Sequence, residues 1–276
     1  MIIWCASYPK SGNTWIRAII ASLIYSQDGI FDFKILKKIG QFPKRSYFRK
    51  FTQNYSDLKK ISNYWISAQE EINKDGKLRI FKTHNGNYNF LENDFTNIKN
   101  TCGVIYIVRD PRNIITSLSN HYKLNLNESL DFILDEKRFL FNVNDTNDIS
   151  EENIITLLGS WKNHYNSWKI SSNAIIIKYE DLLSDPKLQI NKLCLFINKF
   201  SKIDFNDQKI NNIIKTTSFE ELRKKEDEHG FEEASNQNTK FFNLGPKNVW
   251  KNMVNEKLIL SIEKNFYNEM KELRYI

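Results

Sequence analysis

The stretch over residues 7–15, read Ser-Tyr-Pro-Lys-Ser-Gly-Asn-Thr-Trp, constrains the fold of this chain more than any other. A short apolar run over residues 2–6 precedes it, and apolar side chains recur at helical spacing from residue 15 to residue 25. A strand that turns at a Pro and a Gly and continues as a helix leaves unpaired backbone N–H groups at the positive end of the helix dipole. Such a turn can bind an anion such as phosphate or sulfate.

The side chains of this loop add to its capacity to bind an anion. Lys10 brings a positive charge, and Gly12 lets the backbone approach a ligand closely. The hydroxyls of Ser11 and Thr14 are further hydrogen-bond donors. The loop is not a Walker loop, because that motif requires a Gly-Lys-Ser/Thr triplet and here Lys10 precedes Ser11 and Gly12. An ordinary strand-to-helix turn is the alternative interpretation.

Residues 8–15 closely resemble the 5'-phosphosulfate-binding loop of the cytosolic sulfotransferase family, which usually has Thr where Asn13 stands. The resemblance implies that the loop binds the donor 3'-phosphoadenosine 5'-phosphosulfate (PAPS). The donor-binding residues that it implies here are Lys10, Ser11, Gly12, Asn13, Thr14 and Trp15.

A second strand over residues 78–83 ends in Lys82-Thr83-His84, and the Asn-Gly-Asn that follows predicts a turn. His84 therefore comes at the carboxyl end of a strand, where open parallel sheets bind ligands. A His at this edge is a candidate general base, although a lone His is more often structural. The Lys-Thr-His triplet resembles the catalytic triplet of the same family. The resemblance implies that His84 takes the acceptor proton, Lys82 holds the transferring group and Lys10 neutralises charge on the leaving oxygen.

A near-continuous apolar run over residues 102–108 predicts a central strand that is covered on both faces. A Pro in the first turn then begins a helix over residues 111–122. Arg109 and Ser117 resemble the family's 3'-phosphate motif, in which an Arg and a Ser eight residues later grip that group. Read without the family, Asp110 at the strand end could instead be the magnesium ligand of a P-loop kinase.

Two later segments resemble the family's adenine-binding residues. A strand over residues 174–178 leads into a Tyr-Glu-Asp-Leu stretch, and the resemblance implies that Tyr179 contacts the adenine base. A Thr-Ser-Phe segment that begins at Thr217 resembles the family's segment beside the adenine, which adds Thr217 and Phe219 to the predicted site.

The segment from Gly245 resembles the family's late glycine loop and ends in the same Trp-Lys-Asn. Asn243 and Leu244 stand where the family has Arg and Lys, and Asn248 stands where it has Gly. The 3'-phosphate would therefore lose two charge-assisted bonds, which are the strong ones. Lys247 is the nearest replacement, and we expect it to bind this phosphate together with Gly245. A solvated surface lysine is the alternative interpretation of Lys247.

The remaining pattern indicates the fold class. The order of strands and helices predicts an α/β fold with a mainly parallel central sheet flanked by helices. The resemblance implies the P-loop-like nucleotide-binding fold of the sulfotransferases. Length and the lack of a Gly/Ser/Pro-rich linker predict a single domain over residues 1–276. Further predicted elements are helices over residues 127–139, 152–168, 207–215 and 256–273, a polar loop over residues 141–150 and a mobile loop over residues 224–242.

Composition limits the partners. A formal charge of +7 fits a polyanionic small ligand and would equally fit a nucleic acid or a membrane surface. Because the Lys and Arg residues are scattered, we expect no nucleic-acid partner. Three widely separated Cys argue against a disulfide framework or a metal site. No apolar segment has the length of a signal peptide or a membrane span, so we expect a cytoplasmic protein without a membrane span.

The resemblance implies an enzyme that moves a sulfuryl group from PAPS to a hydroxyl or amine of a small acceptor. The products would be the sulfated acceptor and adenosine 3',5'-bisphosphate (PAP). This chemistry needs in-line placement and charge neutralisation, and we expect no metal requirement. The alternatives are a magnesium-dependent small-molecule kinase and a non-catalytic nucleotide-binding module. The acceptor and the oligomeric state stay open.

Overall fold

The structure is a computed structural model that describes residues 1–141, 154–231, 233 and 240–276. No helix within these ranges is both long and apolar enough to cross a membrane. The strands of the described ranges are Ile2–Ser7 (β1), Gly40–Gln41 (β2), Arg79–Thr83 (β3), Asn89–Phe90 (β4), Asn93–Asp94 (β5), Thr101–Val108 (β6), Phe139–Leu140 (β7), Thr156–Leu157 (β8) and Ala174–Lys178 (β9).

The helices account for most of the remaining ordered backbone. They are Asn13–Tyr25 (α1), Phe33–Leu36 (α2), Arg45–Phe48 (α3), Leu58–Ser62 (α4), Trp65–Asn73 (α5), Pro111–Tyr122 (α6), Leu126–Leu134 (α7), Trp161–Lys169 (α8), Tyr179–Ser184 (α9), Pro186–Ile197 (α10), Asp207–Thr216 (α11), Phe219–His229 (α12), Glu256–Asn265 (α13) and Tyr267–Glu272 (α14), with short 3₁₀ turns at Gly245–Lys247 and Trp250–Asn252.

A five-stranded sheet in the order β2-β3-β1-β6-β9 is the centre of the fold. β1 pairs in parallel with β3 and β6, and β2 pairs in parallel with β3. Every residue of β1 is buried, as expected for a central strand that is covered on both faces. The predicted fold class, a mainly parallel central sheet flanked by helices, is confirmed.

The chain divides into two compact units, and the first consists of Met1–Tyr8, Ile39–Val108 and Leu134–Ile177. Helix α8 packs against β1 and β6 within this unit. The fully buried ring of Trp4 lies 5.4 Å from the ring of Phe95 and 6.1 Å from that of Trp168. Aromatic pairs at such distances add to the free energy gained by burying their area.

The second unit consists of Pro9–Lys38, Arg109–Ile133 and Lys178–Ile276, and it is mainly helical. The buried face of α1 carries apolar residues at helical spacing, which is why this segment forms a helix. One of its residues, Ala18, belongs to a buried cluster with side chains of later segments. The prediction of one domain over residues 1–276 stays a prediction. The other buried members of this cluster are Phe31, Leu36, Leu222 and Phe242.

The strands predicted over residues 2–6, 78–83, 102–108 and 174–178 are confirmed to within one residue. The helix predicted over residues 152–168 is wrong over residues 154–160, because α8 begins only at Trp161, and residues 152–153 lie outside the described residues. Gly159 has φ of +69°, and Ser160 caps the helix by accepting a hydrogen bond from Asn163 N. These two residues end the preceding segment and start the helix.

Three other predicted boundaries are corrected. The helix predicted over residues 127–139 ends at Leu134. Residues 224–229 are not a loop, since α12 extends to His229. The last predicted helix is interrupted at Phe266, whose φ of −119° is not helical. The loop predicted over residues 141–150 lies outside the described residues, apart from residue 141.

Candidate functional site

The loop that leads into α1 has the backbone of an anion-binding turn. Lys10 and Gly12 adopt positive φ angles of 65° and 99°. Helix α1 then begins at Asn13, and no side chain caps its N-terminus. The N–H groups of the first helical turn therefore have no partner within the helix. A positive φ at a residue other than Gly is strained and often marks a functional site.

Four donor atoms of the second unit lack a hydrogen-bond partner among the described residues. They are Ser11 Oγ, Trp15 Nε1, Ser22 Oγ and Arg109 Nε, and all four are buried. Nearly all buried polar atoms in proteins are hydrogen-bonded, since leaving one unsatisfied costs about 1–3 kcal/mol. Two of these atoms belong to the predicted phosphosulfate loop and one to the predicted 3'-phosphate clamp. Their chemistry fits a ligand rich in acceptor oxygens.

Arg109 joins the loop to the predicted clamp. Its Nη1 donates to the carbonyl of Lys10 at 3.2 Å and to Ser117 Oγ at 3.2 Å. Its guanidinium carbon lies 4.2 Å from the ring centroid of Tyr179, and the centroid of the Trp15 ring lies 5.4 Å from that of Tyr179. Burial raises the pKa of the Tyr179 hydroxyl, so this ring stays neutral. These five predicted residues are therefore close together within the second unit.

Helix α1 carries, one turn after its start, a cation that the sequence analysis did not identify. Arg17 is 3% exposed, and its Nε donates to Asn13 Oδ1 at 2.7 Å. Its Nη2 donates to Thr14 Oγ1 at 3.2 Å and to both carboxylate oxygens of Glu233 at 2.8 Å. The signal for this residue was its spacing, because residues four apart on a helix face each other.

Two of the predicted adenine residues, Thr217 and Phe219, lie at the junction between α11 and α12 in the second unit. Thr217 is buried, and its hydroxyl donates to the carbonyl of Ile213. Gly245 has φ of +51°, and a Cβ there would lie 2.3 Å from the ring of Phe219. Only Gly fits this approach without moving the ring. Lys247 follows on an exposed turn, so its predicted role in phosphate binding stays a prediction.

The predicted base lies in the first unit, at the carboxyl edge shared by β1 and β3. His84 Nδ1 lies 2.7 Å from the carbonyl oxygen of Ser7. A carbonyl can only accept a hydrogen bond, so Nδ1 carries the proton in the neutral ring and Nε2 carries the lone pair. Lys82 lies in β3, two residues before His84, in register with Cys5 of β1. The geometry thus fixes one tautomer of the imidazole, and Nε2 is its basic nitrogen.

A second, fully buried histidine holds the backbone of the predicted base. His164 Nε2 lies 3.1 Å from the carbonyl of His84, and its Nδ1 lies 2.8 Å from the hydroxyl of Tyr106. Nε2 must donate to the carbonyl, so Nδ1 accepts from the tyrosine. Burial lowers the pKa of His164 to about 3, which keeps the ring neutral. The sequence analysis did not connect His164 with His84.

The structure bears on the kinase interpretation through Asp110. Its Oδ1 accepts from the backbone N–H and from Nε of Arg112, and its Oδ2 accepts from Nη2 of the same residue at 2.7 Å. Arg112 also donates to Glu263 at 2.6 Å. The carboxylate is therefore engaged in capping α6 and in a buried ion pair. This arrangement favours a structural role for Asp110 over metal binding.

Asn248 is a further residue to which the sequence analysis gave no role. It is 5% exposed and donates from Nδ2 to Ser117 Oγ at 2.8 Å. The signal in the sequence was the replacement of the Gly that the family has at this position. A longer polar side chain in place of Gly is a signal of a new contact, but the sequence alone does not identify the partner of that contact.

The chain is similar in sequence to a known protein family and to several of its members. The family profile described as "Sulfotransferase domain" matches residues 2–274. A flavonol 3-sulfotransferase of Flaveria bidentis is 28% identical over 273 residues, which cover 95% of this chain and 79% of the relative. Sulfotransferase 1B1 of Canis lupus familiaris is 27% identical over 224 residues, which cover 79% of this chain and 64% of the relative.

The solved structures show the same fold. A crystal structure of a mouse sulfotransferase complexed with PAP superposes with a TM-score of 0.62 at 21% sequence identity. The match covers 98% of this chain and 83% of that chain. Several curated relatives are considerably longer than the matched region, since the chain spans 64% of the dog protein and 55% of the firefly luciferin sulfotransferase.

Proposed function

Because the chain belongs to the sulfotransferase domain family, we propose that it is an enzyme that transfers a sulfuryl group from PAPS to a small acceptor. The observation that carries the proposal is the set of buried donors without a partner among the described residues, which includes Ser11 Oγ and Arg109 Nε. A ligand with anionic oxygens would satisfy them. The PAP bound in related crystal structures supports this choice of ligand.

The donor would be held by the residues of the second unit. The loop from Lys10 to Thr14 offers N–H groups, hydroxyls and a positive charge to the 5'-phosphosulfate group of PAPS. Arg109 and Ser117 offer donors to the 3'-phosphate. Tyr179 presents an aromatic ring of suitable chemistry to the adenine, as do Trp15 and Phe219. The position of Arg109 next to the ring of Tyr179 supports this assignment, because Arg109 links the proposed phosphate clamp to the proposed adenine contact.

The chemical step is assigned to three side chains. His84 takes the proton of the acceptor hydroxyl on Nε2, because the carbonyl of Ser7 holds the proton on Nδ1. Lys10 neutralises the charge that grows on the leaving oxygen, and Lys82 holds the transferring group. When bound, PAPS supplies the sulfuryl group, whose bond to the 5'-phosphate oxygen breaks as its bond to the acceptor oxygen forms. PAP and the protonated base remain.

The acceptor is proposed only as a class. Relatives are named as flavonol and steroid sulfotransferases, which supports a small hydroxylated molecule. The loops that would contact it are variable in such folds, so the fold gives the chemistry without the substrate. A cytoplasmic location is part of the proposal and is supported by the resemblance of the loop to that of the cytosolic enzymes.

The proposal is tested by binding and turnover together. PAP binding to the purified chain is measured by titration calorimetry, and transfer from labelled PAPS is measured with a panel of phenols, steroids and amines. His84→Ala should lower kcat by roughly 10²–10⁴-fold, the usual contribution of a general base. Affinity for PAP should stay within a few-fold, because the base acts on the acceptor. His229→Ala, a change at an exposed histidine of α12, is the matched control and should leave both values unchanged.

Three results would contradict the proposal. Absence of PAP binding by the wild type would refute the donor assignment. Loss of PAP affinity in His84→Ala together with loss of turnover would make His84 a donor-binding or structural residue. Turnover with ATP in place of PAPS, dependent on magnesium, would favour the kinase alternative.

A further inference from the structure

The side chain of Asn248 makes three hydrogen bonds to helix α6. Its Nδ2 donates to the carbonyl of Asn113 at 2.9 Å and to Ser117 Oγ at 2.8 Å. Its Oδ1 accepts from the hydroxyl of Thr116 at 2.6 Å. Asn248 is 5% exposed, so these bonds form away from bulk water. All four residues of the contact belong to the second unit.

Only one orientation of this amide is compatible with its surroundings. If the amide were turned over, Oδ1 would lie about 2.9 Å from the carbonyl oxygen of Asn113, and two acceptors would face each other. Nδ2 therefore faces Asn113 and Ser117. Its two protons are used by these two acceptors, so the amide nitrogen has no further capacity to donate.

This contact changes what the hydroxyl of Ser117 can do. A serine within a helix commonly donates to the carbonyl four residues earlier, which here is that of Asn113. That carbonyl instead accepts from Asn248 Nδ2 at 2.9 Å, besides the backbone N–H that the helix directs at it, so both of its lone pairs are used. Ser117 Oγ also accepts from Arg109 Nη1 at 3.2 Å and from Asn248 Nδ2 at 2.8 Å, which uses both of its lone pairs. Among the described residues, no acceptor is assigned to its proton.

We propose that Asn248 is a positioning residue that turns Ser117 into a dedicated hydrogen-bond donor for the 3'-phosphate of the bound nucleotide. The inference rests on the proposed function, in which Arg109 and Ser117 bind this phosphate. A hydroxyl whose two lone pairs are occupied can only donate, and an anionic oxygen is the acceptor that strengthens such a bond most. Asn248 thus strengthens the clamp without bringing a charge, at a turn where Asn243 and Leu244 bring none either.

The test compares two nucleotides that differ in the 3'-phosphate. Binding of PAP and of adenosine 5'-monophosphate is measured by calorimetry at one ionic strength. Asn248→Ala should weaken the affinity for PAP roughly tenfold, which is the equivalent of one hydrogen bond to a charged group. Adenosine 5'-monophosphate should bind within twofold of the wild-type affinity, since it has no group at this position.

A double-mutant cycle separates positioning from a general structural effect. If Asn248 acts through Ser117, the variant with both Ser117→Ala and Asn248→Ala should bind PAP no more weakly than Ser117→Ala alone. If the alanine variant does not fold, Asn248→Ser replaces it, because the shorter side chain cannot reach both Asn113 and Ser117. The same PAP-specific loss is then expected.

Each outcome decides the inference. Equal losses for the two nucleotides, unchanged PAP affinity or additive effects in the cycle would overturn the role of Asn248 and leave the proposed function intact. A wild-type protein that binds PAP no better than adenosine 5'-monophosphate would overturn the 3'-phosphate assignment itself, and the role of Asn248 with it.

Discussion

Acid should destabilise this protein through His164, and the structure gives the size of the effect. Burial lowers the pKa of His164 to about 3, against about 6.5 for a histidine in an unfolded chain. Between these two values the unfolded chain binds a proton that the folded chain does not. The contribution of His164 to the free energy of unfolding is therefore complete above pH 6.5 and decreases as the pH drops below this value.

The magnitude follows from the two pKa values. From pH 7.5 to pH 5 the unfolded imidazole becomes almost fully protonated while the folded one stays neutral. Each pH unit below the unfolded pKa of about 6.5 is worth about 1.4 kcal/mol, so the loss from this residue is about 2 kcal/mol at pH 5. For a protein with a typical stability of about 5–15 kcal/mol this loss is readily measured.

The assay is urea unfolding at pH 7.5, 6.5 and 5, followed by tryptophan fluorescence. His164→Gln keeps an N–H donor but cannot titrate, so its stability should fall by about 2 kcal/mol less than that of the wild type between pH 7.5 and pH 5. Tyr106→Phe is the matched control, because it removes the hydrogen bond to His164 and keeps the imidazole. It should cost about 1–3 kcal/mol at every pH. Parallel curves for the wild type and His164→Gln would refute the interpretation of His164 as a buried neutral imidazole.

Two further predictions concern ligand binding and transfer, and a third concerns the stability provided by Glu226 of α12. Lys247→Ala should weaken PAP roughly tenfold and leave adenosine 5'-phosphosulfate unchanged, and equal losses in calorimetry would contradict a 3'-phosphate contact. Transfer from PAPS should persist in excess EDTA, since Lys10 and the N–H groups of the loop supply the positive field; loss of activity that magnesium restores would be evidence against this reasoning. Glu226 is buried and accepts from the N–H groups of Phe241 at 2.6 Å and Phe242 at 2.9 Å. Glu226→Gln should lower the free energy of unfolding by about 1–3 kcal/mol, and an unchanged urea midpoint would contradict this.

Local patterns in the sequence were sufficient for the framework of the fold. The strand before residue 7, the turn through Lys10 and Gly12 and the helix α1 follow from apolar spacing and from the conformational freedom of Gly. The placement of His84 after β3 follows in the same way. Each of these features is encoded within a window of about ten residues, which is the range over which periodicity and turn chemistry act.

Errors occurred where a boundary depends on a single residue or on a distant contact. The start of α8 was predicted nine residues too early, at residue 152 rather than at Trp161. Gly159 and Ser160 carry the stop and start signals, but apolar periodicity through the preceding segment outweighed them in the sequence analysis. The strand of Thr156–Leu157 pairs with Phe139–Leu140, and pairing between separate segments is not encoded in either segment alone.

The sequence by itself determined the strand, turn and helix over residues 2–25 and the strand that ends before His84, and it predicted an anion-binding loop, a base and a phosphate clamp there. Only the tertiary structure decided how these residues are supported. Ser7 fixes the tautomer of His84 from 77 residues away, and Asn248 contacts Ser117 from 131 residues away. The physical reason is that a hydrogen bond depends on the distance and angle between two atoms. For residues far apart in the chain, both are set by the packing of the elements that carry them.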